Sequence, residues 1–124
     1  MAALKTALLV DDETDVGDFL NQAVHDRGAR VDVVGDLTSA ITCLKRHAYS
    51  GLIVNLDTAH DDGIRLLRAL GDEHITVPVV LITDELSDRV RGLPNARQIK
   101  LVVAKPIEIP LLASICLGLC GMET

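Results

Sequence analysis

Aromatic side chains are nearly absent: 124 residues contain one Phe, one Tyr and no Trp. Stacking on bases or sugars has almost nothing to work with, and the core must be built from Leu, Val, Ile and Ala. Basic charge is also short. Twelve Lys and Arg against 18 Asp and Glu give a formal charge of −6, the opposite of the footprint that nucleic-acid binding requires. No apolar run approaches the roughly 18–20 residues needed to cross a bilayer. The opening MAALKTALLV meets DDE before it can build a signal peptide's apolar region and cleavage site. A cytoplasmic chain with no nucleic-acid or membrane partner is expected. Cys43, Cys116 and Cys120 are an odd count with no CxxC spacing and no neighbouring His. That excludes a disulfide framework and a zinc site, and leaves buried reduced thiols. His25, His47, His60 and His74 are scattered, with no metal-ligand spacing. GxGxxG, P-loop, GxSxG and HExxH elements are missing, so dinucleotide, nucleotide and hydrolase chemistry lack their machinery and no enzyme is expected.

Repeats, low-complexity tracts and Pro/Gly/Ser linkers are missing too, and the length suits one domain spanning residues 1–124. What recurs is a change of hydrophobic period. Ala7 to Val10, Val31 to Val34, Leu52 to Leu56, Val77 to Ile82 and Leu101 to Ala104 have the length and composition of strands buried on both faces. Between them, Val16, Phe19, Leu20, Ala23 and Val24 form one helical stripe, and Leu37, Ala40, Ile41 and Leu44 a second. Ile64, Leu67 and Leu70 mark a third, after an Asp62–Gly63 turn. Thr14 or Asp15 is a candidate cap for the first helix, Asp36 or Thr38 for the second, and Gly28 ends the first. Gly92 and Pro94 interrupt a helix between Ser87 and Gln98. A last helix runs from about Pro110 to Leu119. Strands alternating with helices predict an α/β protein, with a parallel sheet flanked by helices and ligands beyond the carboxyl ends of the strands.

Those ends carry chemistry. The first strand ends in Asp11, Asp12 and Glu13, the third in Asn55, Leu56 and Asp57, the fourth in Thr83 and Asp84, and the fifth in Lys105 and Pro106. Adjacent carboxylates facing an amide or another carboxylate suit a hard ion such as Mg²⁺. A hydroxyl and an ammonium beside them suit a phosphoryl group.

The segments ALLVDDE, YSGLIVNLDTAHDDGIRLL, VPVVLIT and VVAKP resemble the receiver domain of two-component response regulators over nearly the whole chain. The resemblance implies a doubly wound, flavodoxin-like five-stranded parallel sheet in the order 2-1-3-4-5. It further implies that Asp11 and Asp12 hold Mg²⁺ and that Thr83 and Lys105 contact phosphoryl oxygens. The separation of Thr83 and Lys105 by 22 residues agrees with the family. The family's phosphoacceptor, an Asp ending the third strand, stands eight residues before the Gly of a DG turn, which here is Asn55 before Gly63. An amide cannot form the acyl phosphate. Asp57 lies two residues on and points to the same face of an extended chain. It is either an alternative acceptor, if the strand slips by two, or a partial replacement for the missing charge that leaves Mg²⁺ weakly held by Asp11, Asp12 and Asp57.

Other departures accompany Asn55. Asp84 stands where the family usually has Ala or Gly, Ala59 where it often has Pro, and Val102 where an aromatic couples phosphorylation to the output face. From Ile109 through Met122 there is no charged residue, so this helix is either well covered by its own domain or a contact surface. Receivers commonly pair through this region, and on that second reading Val102, Leu112, Ile115 and Leu119 form an interaction face, with a homodimer through the last strand and helix. The resulting expectation is an atypical receiver in phosphorelay signalling. It acts through a protein partner or histidine kinase without aspartyl phosphorylation. The alternatives are a receiver that accepts phosphate on Asp57, and a small-ligand or metal sensor on the same fold.

Overall fold

The computed structural model describes residues 5–57, 62–84 and 92–122. Their order is β1 (Lys5–Val10), α1 (Thr14–Val24), β2 (Ala29–Val34), α2 (Leu37–Arg46), β3 (Gly51–Asn55), α3 (Asp62–Asp72), β4 (Val79–Thr83), β5 (Ile99–Ala104) and α4 (Ile109–Leu119). All five strands are parallel and lie in the order β2-β1-β3-β4-β5.

Period-2 alternation explains how continuous apolar runs serve two cores. Ala7, Leu9, Ile53, Val80 and Ile82 join the cluster beneath α1 and α4, with Leu20, Leu112 and Leu117. Leu8, Val10, Leu52, Val54, Val79 and Leu81 face the other way, into Leu66, Leu67 and Leu70 of α3 and Ala40 of α2. A strand with helices on both sides has no wet face, so every residue of β3 and β4 is buried.

The boundaries differ from the sequence reading in ways the backbone explains. β4 begins at Val79, not Val77, because Pro78 has no N–H to give to a ladder, although its carbonyl accepts from Leu52 N at 2.9 Å. β2 and β5 reach back to Ala29 and Ile99, and β3 ends at Asn55. α1 is capped by neither Thr14 nor Asp15: its N-cap is Glu13, with no side-chain hydrogen bond. Asp36 does cap α2, accepting from Ser39 N at 2.7 Å. Gly28, at φ 86°, ends a single 3₁₀ turn after α1, in the left-handed region that glycine tolerates. Phe19 and Ala23 are exposed, so α1 buries only the narrower stripe of Val16, Leu20 and Val24. Much of the expected helix between Ser87 and Gln98 lies outside the described residues; its end, Ala96–Gln98, is a 3₁₀ turn.

Candidate functional site at the carboxyl ends of the strands

The polar residues that end β1, β3 and β4 are buried beside apolar runs. Asp11 is 7% exposed, Asn55 8% and Thr83 0%. Each therefore needs hydrogen-bond partners. Asn55 Nδ2 donates to Asp11 Oδ1 at 3.3 Å, and the Glu13 backbone N–H donates to the same oxygen at 3.0 Å. Asn55 Oδ1 in turn accepts from the Asp57 backbone N–H at 3.0 Å. The amide thus ties the end of β1 to the turn after β3, donating on one side and accepting on the other.

Asp57 belongs to a second group. Its Oδ1 accepts from the Thr83 hydroxyl at 3.0 Å, and its Oδ2 accepts from the Asp84 backbone N–H at 2.9 Å. Lys105 Nζ lies 3.0 Å from the same Oδ2. Burial pushes this carboxyl up, and that is the largest single influence. The Asp84 N–H, Lys105 and Thr83 together outweigh it and hold the carboxyl below its ordinary value. Asp84 contributes through its backbone; its residue is exposed.

The strands are not slipped. Asn55 pairs with Ile82 and remains the last residue of β3. Asp57 reaches Thr83 and Lys105 from the turn beyond the strand. Gly63 keeps α3 close to that turn, since a Cβ there would come within 3.2 Å of Leu56 Cα and 3.3 Å of the Asn55 carbonyl oxygen. The Asp62–Gly63 pair opens α3 and is not a free turn. Asp11, Glu13, Asn55, Asp84 and Lys105 border a cleft of about 600 Å³, whose apolar side includes Val16, Ile107 and Leu112.

The resemblance implied that Asp11 and Asp12 hold Mg²⁺, and Asp57 was expected to replace part of the charge that Asn55 lacks. Asp57 instead directs both oxygens to Thr83, Asp84 N and Lys105, while Asp12 is exposed. Among the described residues, no three His, Cys, Asp or Glu side chains gather closely enough to hold an ion. The residues present do not fit a three-carboxylate metal site.

The expected interaction face also changes. Leu112 is fully buried in the core beneath α4, since the helix turns it inward with Ala113, Cys116 and Leu117. Ile115 and Leu119 are half-buried against that core, and Val102 against the opposite one. The apolar residues that do face outward here are Leu101 and Leu111, 44% and 53% exposed. Cys116 and Cys120 are buried free thiols; burial, with Cys120 beside it, pushes the Cys116 thiol up to about 12. Ala59, noted above as a departure from the family, and His60 lie outside the described residues.

A doubly wound sheet with acidic, hydroxyl and ammonium groups at adjoining strand ends defines a class, the receiver-type α/β proteins. The model of the response regulator receiver domain matches residues 7–116, and the chain belongs to that family. It is 30% identical over 90 residues to the transcriptional regulatory protein TrcR of Mycobacterium tuberculosis, covering 71% of this chain and 35% of that protein. The transcriptional regulatory protein QseB of Haemophilus influenzae is also 30% identical over 90 residues, covering 71% of this chain and 41% of that protein. The matched region is thus well under half the length of these relatives. Among solved structures, the receiver domain of the Francisella response regulator 1452 superposes with a TM-score of 0.78 at 22% identity, covering 94% of this chain and 97% of that one. A CheY-like receiver domain protein from Methanospirillum hungatei gives 0.77 at 19% identity, covering 94% of each. At these identities the structures speak to the fold alone.

Proposed function

We propose that this receiver domain works in two-component signalling through protein contacts, without phosphorylation of an aspartate. The observation that carries this reading is Asn55. The residue ending β3 is an amide, fixed between Asp11 and the Asp57 backbone, and an amide offers no carboxylate oxygen to a phosphoryl donor. The mismatch with a three-carboxylate Mg²⁺ site supports the same reading, because in this family the metal accompanies phosphoryl transfer. Incubation with acetyl phosphate and Mg²⁺ should leave the intact mass unchanged.

A second reading has an observation of its own. Asp57, not Asn55, lies against Thr83 and Lys105, as an acceptor would. Peptide mapping that located a phosphoryl group on Asp57 would favour it over the first. The partner is a protein, either a histidine kinase or a downstream component. Exposed Leu101 and Leu111 on β5 and α4 support a homodimer through this face. Sedimentation of wild type against Leu111→Glu tests that: the wild type should show a concentration-dependent dimer and the variant should not.

A further inference from the structure

The Thr83 hydroxyl, the Asp84 N–H and the Lys105 ammonium come from two neighbouring strands and converge on one small volume. Three donors, one of them charged, suit an oxyanion. In this chain the volume is filled. Asp57 presents two oxygens, Oδ1 to the hydroxyl and Oδ2 to both the amide and the ammonium. An isolated surface ion pair would contribute little. This carboxylate differs because its partners include a fully buried hydroxyl and a backbone N–H whose position β4 fixes. Its own backbone N–H donates to Asn55 Oδ1 at 3.0 Å, which helps fix the position from which the side chain reaches its partners.

We propose that Asp57 is a built-in anionic ligand occupying an oxyanion site made by Thr83, the Asp84 N–H and Lys105, and that removing its carboxylate opens this site to a free phosphate-class ion. The proposal rests on the phosphorylation-independent reading and extends it: the pocket is permanently loaded by its own chain. A tethered ligand acts at an effective concentration of millimolar or more, so free phosphate well below that level competes poorly with it.

The test is a titration with inorganic phosphate, followed through the amide signals of Thr83 and Asp84 by nuclear magnetic resonance. Wild type should show no saturable shift. Asp57→Ala should bind phosphate at least about tenfold more tightly than wild type, and adding Lys105→Met to that variant should abolish the gain. Asp57→Ser, which keeps a small polar residue in the turn, should behave as Asp57→Ala and serves if the alanine variant loses native signal dispersion. Phosphate binding equally well to wild type, or to neither well-folded variant, overturns the proposal. Treatment with acetyl phosphate and Mg²⁺ separates the two ideas. A phosphoryl adduct on Asp57 removes the phosphorylation-independent reading and the proposal with it. No adduct, combined with equal phosphate binding by wild type and variants, defeats the proposal alone.

Discussion

The carboxyl rim of the sheet has two halves that meet the same physical demand differently. At Asp11 and Asn55, a buried carboxylate is satisfied by neutral donors, an amide NH₂ and a backbone N–H. At Asp57, a less deeply buried carboxylate receives a hydroxyl, a backbone N–H and a full positive charge. The Lys105 ammonium at the rim thus serves Asp57, which reaches it from the turn, and not the side chain that ends β3. One substitution, an amide at position 55, makes this division workable, because a carboxylate there would press against Asp11 and compete for Lys105.

Asn55→Asp should therefore have the largest effect. It places a second carboxylate where the amide now donates to Asp11 at 3.3 Å, and removes a donor from a buried acceptor. Leaving a buried charged acceptor without its donor costs about 3 kcal/mol, and the second carboxylate adds like-charge repulsion. Urea denaturation at neutral pH should show that loss, and Mg²⁺ should recover part of it by binding between the two acids. An Asn55→Asp variant as stable as wild type in the absence of Mg²⁺ would erase the distinction between the halves.

Lys105→Met tests the other half and should cost about 1–3 kcal/mol by leaving the carboxylate without its charged partner. It also changes the response to acid, with a sign that follows from Asp57. A carboxyl held below its ordinary value of 3.8 in the folded state adds stability at higher pH. That contribution is lost as pH falls through 3.8 and then through the lower folded value. Without Lys105 the folded value rises towards the ordinary one, so this part of the acid dependence should shrink. Denaturation measured from pH 6 down to about pH 3, spanning the carboxylate range, checks the slope. Thr83→Val should follow at about 1 kcal/mol, the usual worth of one hydrogen bond, with shape nearly conserved.

How much of this could be read beforehand differs between sheet and rim. The five runs and the 2-1-3-4-5 order were legible because alternation and resemblance point the same way, and β1, β3 and β4 obey a strict period of two. The strand starts were less legible: Pro78 delays β4, whereas nothing stops β2 and β5 from running back to Ala29 and Ile99. Phe19 has the spacing of a core residue but sits on the outer side of α1, because Gly17, Leu20 and Val24 already fill the contact with β2 and α4. A Cβ on Gly17 would come within 2.2 Å of Val33. Leu112 was misplaced for a related reason: in a helix with no charged face, sequence alone does not say which side turns inward. At the site, the residue types and Asn55 were legible from spacing. The direction of the Asp57 side chain was not. Beyond the end of a strand the period of two no longer fixes orientation, and the choice fell to a cation on β5 and an N–H at the end of β4.

The smallest expected effect separates side chain from backbone at position 84. The sequence reading set Asp84 apart because the family usually has Ala or Gly there, yet its contact with Asp57 is a backbone N–H at 2.9 Å and the residue is exposed. Asp84→Ala keeps that N–H. Its effect on stability should stay within about 0.5 kcal/mol, as for most exposed substitutions. The sign should be stabilising, because one negative charge is withdrawn from the neighbourhood of another. Added salt should reduce even this difference, since exposed charges are screened over roughly 8–10 Å at ordinary ionic strength. Denaturation of Asp84→Ala in low and high salt reads both. A loss of more than about 1 kcal/mol, comparable to a whole hydrogen bond, would mean that the side chain of Asp84 shapes the turn, and that the Asp57 half of the rim depends on more than Thr83, the Asp84 N–H and Lys105.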